Sequence, residues 1–379
     1  MGKGFAVMEL KRNVSVIVFM IASTIGAGIF ALPFTLATHG LLTFGIVMVV
    51  VVWAIIRIHD ATVQLSASTH KNLQIPGLIH LYLGKTVASF SSFIFFLGEF
   101  LALLVYTLGL FEIFLLIFPS VSFAVIAALC LIGAVLCGLM GERFVLRNSF
   151  FFSVLVFFLV FVISLLCIVH PDFSFSQTTL VLFASPISVI AVCFFSLSGL
   201  VAIPELAALV RDRNSLRLPI GMATFLIALL YAFFAVAVVG LLQKNTTSVA
   251  TVGLQFHFGT FVTVLGLVVT FASFCSGLML RSLSLVESLR WDYGFSKNRA
   301  LLVFSLVYIA LLQLPFHSFA IVVSFAGGVI GGLLGILVML AYIRMKYLQL
   351  SKKRFSVTPA FFSAVLVIVI CFLALFRVV

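Results

Sequence analysis

The chain has 379 residues, 64% of them hydrophobic and only 8% charged, with a mean hydropathy of +1.37; globular domains carry about 25% charged residues, so a soluble domain is excluded. The formal net charge of +12 is scattered through short segments between apolar runs rather than gathered on one face. That distribution argues for membrane topology and against a nucleic-acid partner.

In chain order, apolar runs bounded by charges, proline or glycine lie at 13–38, 42–66, 87–112, 121–140, 147–169, 179–209, 217–242, 257–289, 299–315, 317–344 and 358–378. At roughly 20 residues per crossing they predict eleven transmembrane helices in one all-α membrane domain that accounts for the whole chain. Residues 1–12 are short and basic and lead straight into the first run without a small-residue cleavage site, so an uncleaved first span is expected. With the amino terminus in the cytoplasm, all 22 lysines and arginines except Lys244 and Arg377 fall at or near the inner side. This bias predicts a plasma (inner) membrane protein with its amino terminus inside and its carboxyl terminus outside. The six cysteines, Cys130, Cys137, Cys167, Cys193, Cys275 and Cys371, sit in apolar segments without metal-ligand spacing and read as core residues.

The first run is weakened at 23–33, Ser-Thr-Ile-Gly-Ala-Gly-Ile-Phe-Ala-Leu-Pro. Glycine costs a helix interior about 1 kcal/mol and proline about 3, so the chain should unwind there. Backbone groups freed at membrane depth are tolerated only against protein or a water-filled cavity, which marks a binding place. The sixth run repeats the pattern at 194–206, Phe-Phe-Ser-Leu-Ser-Gly-Leu-Val-Ala-Ile-Pro-Glu-Leu. Five spans separate the two, an odd number, so spans 1–5 (about 13–169) and 6–10 (about 179–344) are expected to be inverted repeats, with 358–378 as an extra helix. Interrupted segments at matching places in two halves point to a secondary transporter's central site.

The pair of motifs, with Leu-Val-Glu-Ser-Leu-Arg-Trp-Asp at 285–292, resembles the amino acid permeases of the amino acid/polyamine/organocation superfamily. The nearest resemblance is to the eleven-span amino acid/auxin permeases and the hydroxy and aromatic amino acid permeases. It implies a five-plus-five inverted-repeat fold of the leucine-transporter type and symport of small amino acids.

An amino acid zwitterion needs N–H donors for its carboxylate and acceptors for its ammonium. The half-helix starting near Gly28 offers a positive dipole end; carbonyls near Ser23, Thr24, Phe195 and Ser196 suit the ammonium. Gly26, Ala27, Gly28 and Gly199 would let backbone approach the ligand, with Thr24 and Ser198 as hydroxyl supplements, although each hydroxyl has an equal claim to bond back to its own helix. Phe194, Phe195 and Phe30 flank the breaks, and Tyr106 is expected beyond them toward the outside; the bland reading of each aromatic is core packing. Where the family often carries a polar residue after the span 6 glycine, Leu200 stands here, which favours an apolar or aromatic neutral substrate.

Glu99, near the middle of span 3, reads as a lone carboxyl and hence as a candidate proton acceptor, with a structural hydrogen bond or a counter-charge for a cationic substrate as competing accounts. Arg57 and Asp60, three apart on span 2, read as a local ion pair, with Asp60 and Glu205 as the alternative inner gate. The resemblance implies, for a sodium-coupled carrier, carbonyls of Ala22 and Ile25 meeting hydroxyls on span 8, where Ser273 and Ser276 are the candidates and Ala272 replaces one hydroxyl. A coupling lysine on span 5 is absent. A proton or a sodium ion is therefore the expected coupling ion, with Glu99 tilting the choice to protons, and no other cofactor or metal is expected. The connection 243–255 is a candidate external lid carrying a sequon at Asn245, and the basic stretch at 351–354 faces lipid headgroups. No nucleophile, metal set or cluster of acids suggests an enzyme. The alternatives are a channel, an amino acid sensor or scaffold of the same fold, and a carrier of another small organic amine. The expected partners are the substrate and membrane lipid; the oligomeric state stays open, with a monomer compatible.

Overall fold

The computed structural model describes residues 2–175, 186–254, 257–258, 260–313, 319–350, 363 and 365–370. Lipid offers the backbone no hydrogen bonds, so each apolar run closes its own as a helix. The helices are α1 (Gly2–Thr24), α2 (Gly28–His39), α3 (Leu41–Ala67), α4 (Ile75–Ile117), α5 (Phe123–Met140), α6 (Glu142–Val169), α7 (Pro186–Leu197), α8 (Ala202–Leu209), α9 (Arg217–Leu242), α10 (Ala250–Gly253), α11 (Thr260–Trp291), α12 (Lys297–Leu312), α13 (Phe319–Phe325) and α14 (Gly332–Leu350).

Among the described residues eight helical stretches are long and apolar enough to cross a membrane, and α1 with α2, bent by 66°, makes a ninth. The expected ninth span appears as α12, which has only 16 residues, and the expected eleventh lies outside the described residues apart from 363 and 365–370. α4 is longer than a span because it includes an approach helix: Gly84, at φ 79°, takes a left-handed conformation that turns residues 75–83 into the crossing segment.

The two interrupted helices sit at the centre. α2 packs on α7 and α9, α1 on α6 and α9, α7 also on α3, and α11 leans on α6 and α4. Between α13 and α14 the chain widens into a π-helical turn, Ala326–Gly331, which lies against α7. Two of its glycines, Gly327 and Gly328, are buried there. The expected external lid is partly built in: Val249, Ala250 and Leu254 are buried, and α10 packs on α11 and α2. Of the cysteines, four are buried and Cys275 is half-buried; Cys371 lies outside the described residues.

Candidate binding site at the helix breaks

The first break falls at residues 25–27, between Thr24 and Gly28. It precedes Pro33, which α2 accommodates five residues after its start. The second falls at 198–201, and Pro204 occupies the third position of α8, in the first turn, where its missing N–H is no loss. The breaks meet. A methyl group built on Gly28 would stand 2.5 Å from the Cα of Ser196, and one on Gly199 would collide with Thr24. Gly28 thus lets backbone approach backbone, while Gly199 makes room for the Thr24 side chain and Gly26 for Tyr106, its notional Cβ 2.5 Å from the hydroxyl.

Tyr106 therefore lies beside the first break, between Gly26 and Gly277, and not beyond it as expected from its place in the chain. Phe30, fully buried, meets Phe234 and Phe274 edge to face, and Tyr106 extends the same aromatic group, which makes these rings core. Phe194, Phe195 and Ser198 line a cavity of about 50 Å³ together with Phe95, Glu99 and Arg281. A second cavity, about 20 Å³, lies between Ser23, Ser198, Gly199, Glu205 and Arg281. At roughly 10–15 Å³ per water-sized sphere the two hold a few small groups and no aromatic side chain, so neither admits a whole amino acid in this conformation. A much larger groove of about 400 Å³, lined by residues such as Phe114, Cys130, Leu136 and Phe271, lies away from the breaks. It is apolar throughout and offers nothing to orient a zwitterion.

The hydroxyls divide. Ser23 and Ser196 donate back to their own helices, to the carbonyls of Met20 (3.1 Å) and Val192 (2.8 Å). Thr24 Oγ1 is buried without a partner among the described residues. The Thr24 carbonyl, expected to await an ammonium group, accepts instead from the Tyr231 hydroxyl of α9 at 3.2 Å.

Glu99 is not alone. Arg281 Nη1 of α11 donates to Glu99 Oε1 at 2.6 Å; Glu99 is buried and Arg281 largely covered, with relative exposures of 6% and 14%. Arg281 Nη2 also points to the Ser198 carbonyl of the second break, 3.4 Å away. The charge count had put Arg281 at a membrane surface. It instead sits between α4, the second break and α11, because a cation ten residues from a helix end is held inside by a buried acid and a freed carbonyl. A single arginine in the apolar stretch Leu278-Met279-Leu280-Arg281, with a buried acid unaccounted for on span 3, was the signal that could have found it.

The coupling-ion candidates form a neighbouring cluster of oxygens. Ser153 of α6 donates to the Ala22 carbonyl (2.7 Å) and lies 3.0 Å from Ser276 Oγ. Ser276 in turn reaches the Ser149 carbonyl at 3.4 Å. Ser273 Oγ is buried and without a partner among the described residues, and Ile25, the other expected carbonyl, is buried at the break. Ser153 was absent from the sequence reading because nothing in one sequence pairs span 5 with span 1. Among the described residues no three His, Cys, Asp or Glu side chains gather as a metal-binding group.

At the end of the bundle that carries the α3–α4 loop, Asp60 pairs with Arg217 across helices, Nη2 to Oδ2 at 3.1 Å, and not with Arg57. Arg57 donates to Ser363 at 2.7 Å. The guanidinium of Arg217 on α9 gives Asp60 two parallel hydrogen bonds. Glu205 is buried, with Gln74 Nε2 at 3.5 Å. Arg213 holds the same loop by donating to the carbonyls of Ser66 and Thr69, both at 2.8 Å, and to Asn72 Oδ1 at 2.9 Å.

Asp292, just past α11, accepts from the backbone N–H groups of Gln74 (3.0 Å) and Gly77 (3.3 Å) and so fastens the start of α4. Burial outweighs these hydrogen bonds and pushes its carboxyl up to about 6. A carboxyl raised in the folded state contributes stability that is full below its ordinary pKa near 3.8 and lost as pH rises through about 6. Thermal unfolding followed from pH 4 to 7 is expected to show this loss, about 2–3 kcal/mol, in the parent protein and not in Asp292→Asn. Equal pH slopes in the two would refute the assignment.

No protein-family model and no curated protein matches the chain. Solved structures do. MhsT in complex with L-phenylalanine superposes with a TM-score of 0.68 at 15% identity, covering 95% of this chain and 98% of that one. Mhp1, a nucleobase-cation-symport-1 family transporter in a closed conformation with bromovinylhydantoin bound, gives 0.59 at 13% identity, covering 96% and 90%. This is the leucine-transporter-type fold.

Proposed function

We propose that the chain is a secondary active transporter, a symporter that imports a neutral, apolar or aromatic amino acid by alternating access. The observation that carries this reading is the meeting of two interrupted helices beside small cavities that Glu99 and Arg281 line, in a fold shared over nearly the whole chain with a protein solved with L-phenylalanine. Unwound backbone at the centre of a membrane bundle provides dipole ends and freed carbonyls for a ligand's charged groups. Ser23, Thr24, Gly26, Ala27, Gly28, Ser196, Ser198 and Gly199 supply that backbone and its hydroxyls, with Phe194, Phe195 and Tyr106 beside them. Cavities too small for a whole amino acid correspond to one stage of the cycle, and binding requires them to widen.

A proton or a sodium ion drives uptake. The oxygens of Ala22, Ile25, Ser153, Ser273 and Ser276 are the cation's place in the sodium case, and Glu99 is the acceptor in the proton case. Paired with Arg281, Glu99 is not the solitary carboxyl that favours protons over sodium. Asp60 and Glu205, tied to Arg217 and Gln74, act in the inner gate. The chain lies in the plasma (inner) membrane with eleven spans and its amino terminus cytoplasmic.

Purified protein in liposomes is expected to accumulate at least one neutral amino acid when a proton or sodium gradient is imposed. Absence of uptake of all of them under both gradients would end the symport reading.

A further inference from the structure

We infer that the Glu99–Arg281 pair, rather than the breaks' backbone alone, selects the substrate's ammonium group and thereby admits zwitterions in preference to acids or simple amines. The inference rests on the reading of the chain as an amino acid transporter and adds to it the group that recognises the amine.

Glu99 has two oxygens and they differ. Oε1 accepts from Arg281 at 2.6 Å. Oε2 is buried and has no hydrogen-bond partner among the described residues, and the Glu99 side chain lines the cavity of about 50 Å³. A buried carboxylate oxygen without a donor is costly, and the cost falls when a charged donor arrives. Around that cavity the other side chains are mostly apolar, among them Phe95, Phe194, Phe195, Leu200 and Ile330. The backbone comes close at Gly98 and Gly327, which carry no side chain into it. A ligand's ammonium placed there meets Oε2 without displacing Arg281 from Oε1.

Arg281 decides what the rest of the ligand must be. It lines both cavities, and its guanidinium has five N–H donors: one goes to Glu99, one lies 3.4 Å from the Ser198 carbonyl, and the Tyr106 hydroxyl is a further hydrogen-bond partner. Together the pair carries no net charge. A zwitterion leaves the site neutral, with its carboxylate on the guanidinium side and its ammonium on the carboxylate side. A simple amine adds an uncompensated positive charge beside Arg281. A carboxylate without an amine leaves Oε2 unpaired and adds a negative charge beside it.

The test measures binding of L-alanine, L-leucine and L-phenylalanine by purified full-length protein, each against its analogue lacking the amine (propanoate, 4-methylpentanoate, 3-phenylpropanoate) and its analogue lacking the carboxylate (ethylamine, isopentylamine, phenethylamine). The parent protein is expected to bind the preferred amino acid at least 10-fold more tightly than either analogue, in line with the cost of one unmatched buried charge. Glu99→Gln/Arg281→Gln keeps the site neutral and is expected to fold, to lose about 10- to 100-fold in affinity for the amino acid, and to lose its preference over the amine-free analogue. Glu99→Asp is expected to keep that preference. An unchanged preference in the double variant, or none in the parent protein, overturns the inference while any uptake of amino acids leaves the transport reading standing. Binding of none of the three by the parent protein extends the same comparison to the other neutral amino acids, and binding and uptake of none of them removes both readings.

Discussion

Arg281→Met alone is expected to destabilise the protein by about 3–5 kcal/mol, because it strands a buried carboxylate. Glu99 and Arg281 are each nearly enclosed and touch at 2.6 Å, so neither charge is met by solvent when its partner goes. A neutral methionine fills much of the arginine's stem space but offers no donor. Glu99→Gln combined with Arg281→Met removes both charges and is expected to recover most of the loss, since replacing a buried pair together is often close to neutral. Thermal unfolding in detergent measures this. A single variant as stable as the parent protein would show that water reaches the pair, and the enclosed geometry would be wrong.

The second large effect concerns backbone contact. Gly327→Ala is expected to cost about 1–3 kcal/mol or more, since the new methyl would collide with the Ala191 carbonyl and lie 2.8 Å from the Phe195 nitrogen. Both obstacles are backbone, so no rotamer change relieves them, and α7 would have to part from the π-helical turn. Gly221→Ala in α9 is the control: its nearest neighbour would be a methyl of Ile56 at 3.8 Å, and alanine's helix preference makes the change neutral or favourable by up to about 1 kcal/mol. If the two alanine variants unfold at the same temperature, the close packing of the turn on α7 is not a determinant of the fold. The same contact logic governs Gly28. A leucine there meets the Ser196 backbone and disturbs packing as well as any ligand, so it cannot serve as a clean test of binding.

Much of the architecture was legible along the chain. The breaks were read at 23–33 and 194–206 and fall at 25–27 and 198–201, because glycine and proline weaken a helix wherever it lies. Local chemistry was legible too: Ser23 and Ser196 do bond back to their own helices. What could not be read were the partners that cross between helices. Asp60 had Arg57 three residues away and took Arg217 instead. Thr24's carbonyl went to Tyr231, and Glu99, read as solitary, is joined to Arg281 across 182 residues.

The sequence by itself determined that this is a membrane bundle with two weakened helices in matching places, because hydropathy and helix propensity act locally and survive any packing. Only the tertiary structure decided which polar groups are already satisfied and which await a ligand. That depends on the distance between side chains on different helices, and in an apolar interior every donor and acceptor takes the nearest partner the packing allows. The free oxygen of Glu99 is such a remainder, visible only once Arg281 is placed beside it.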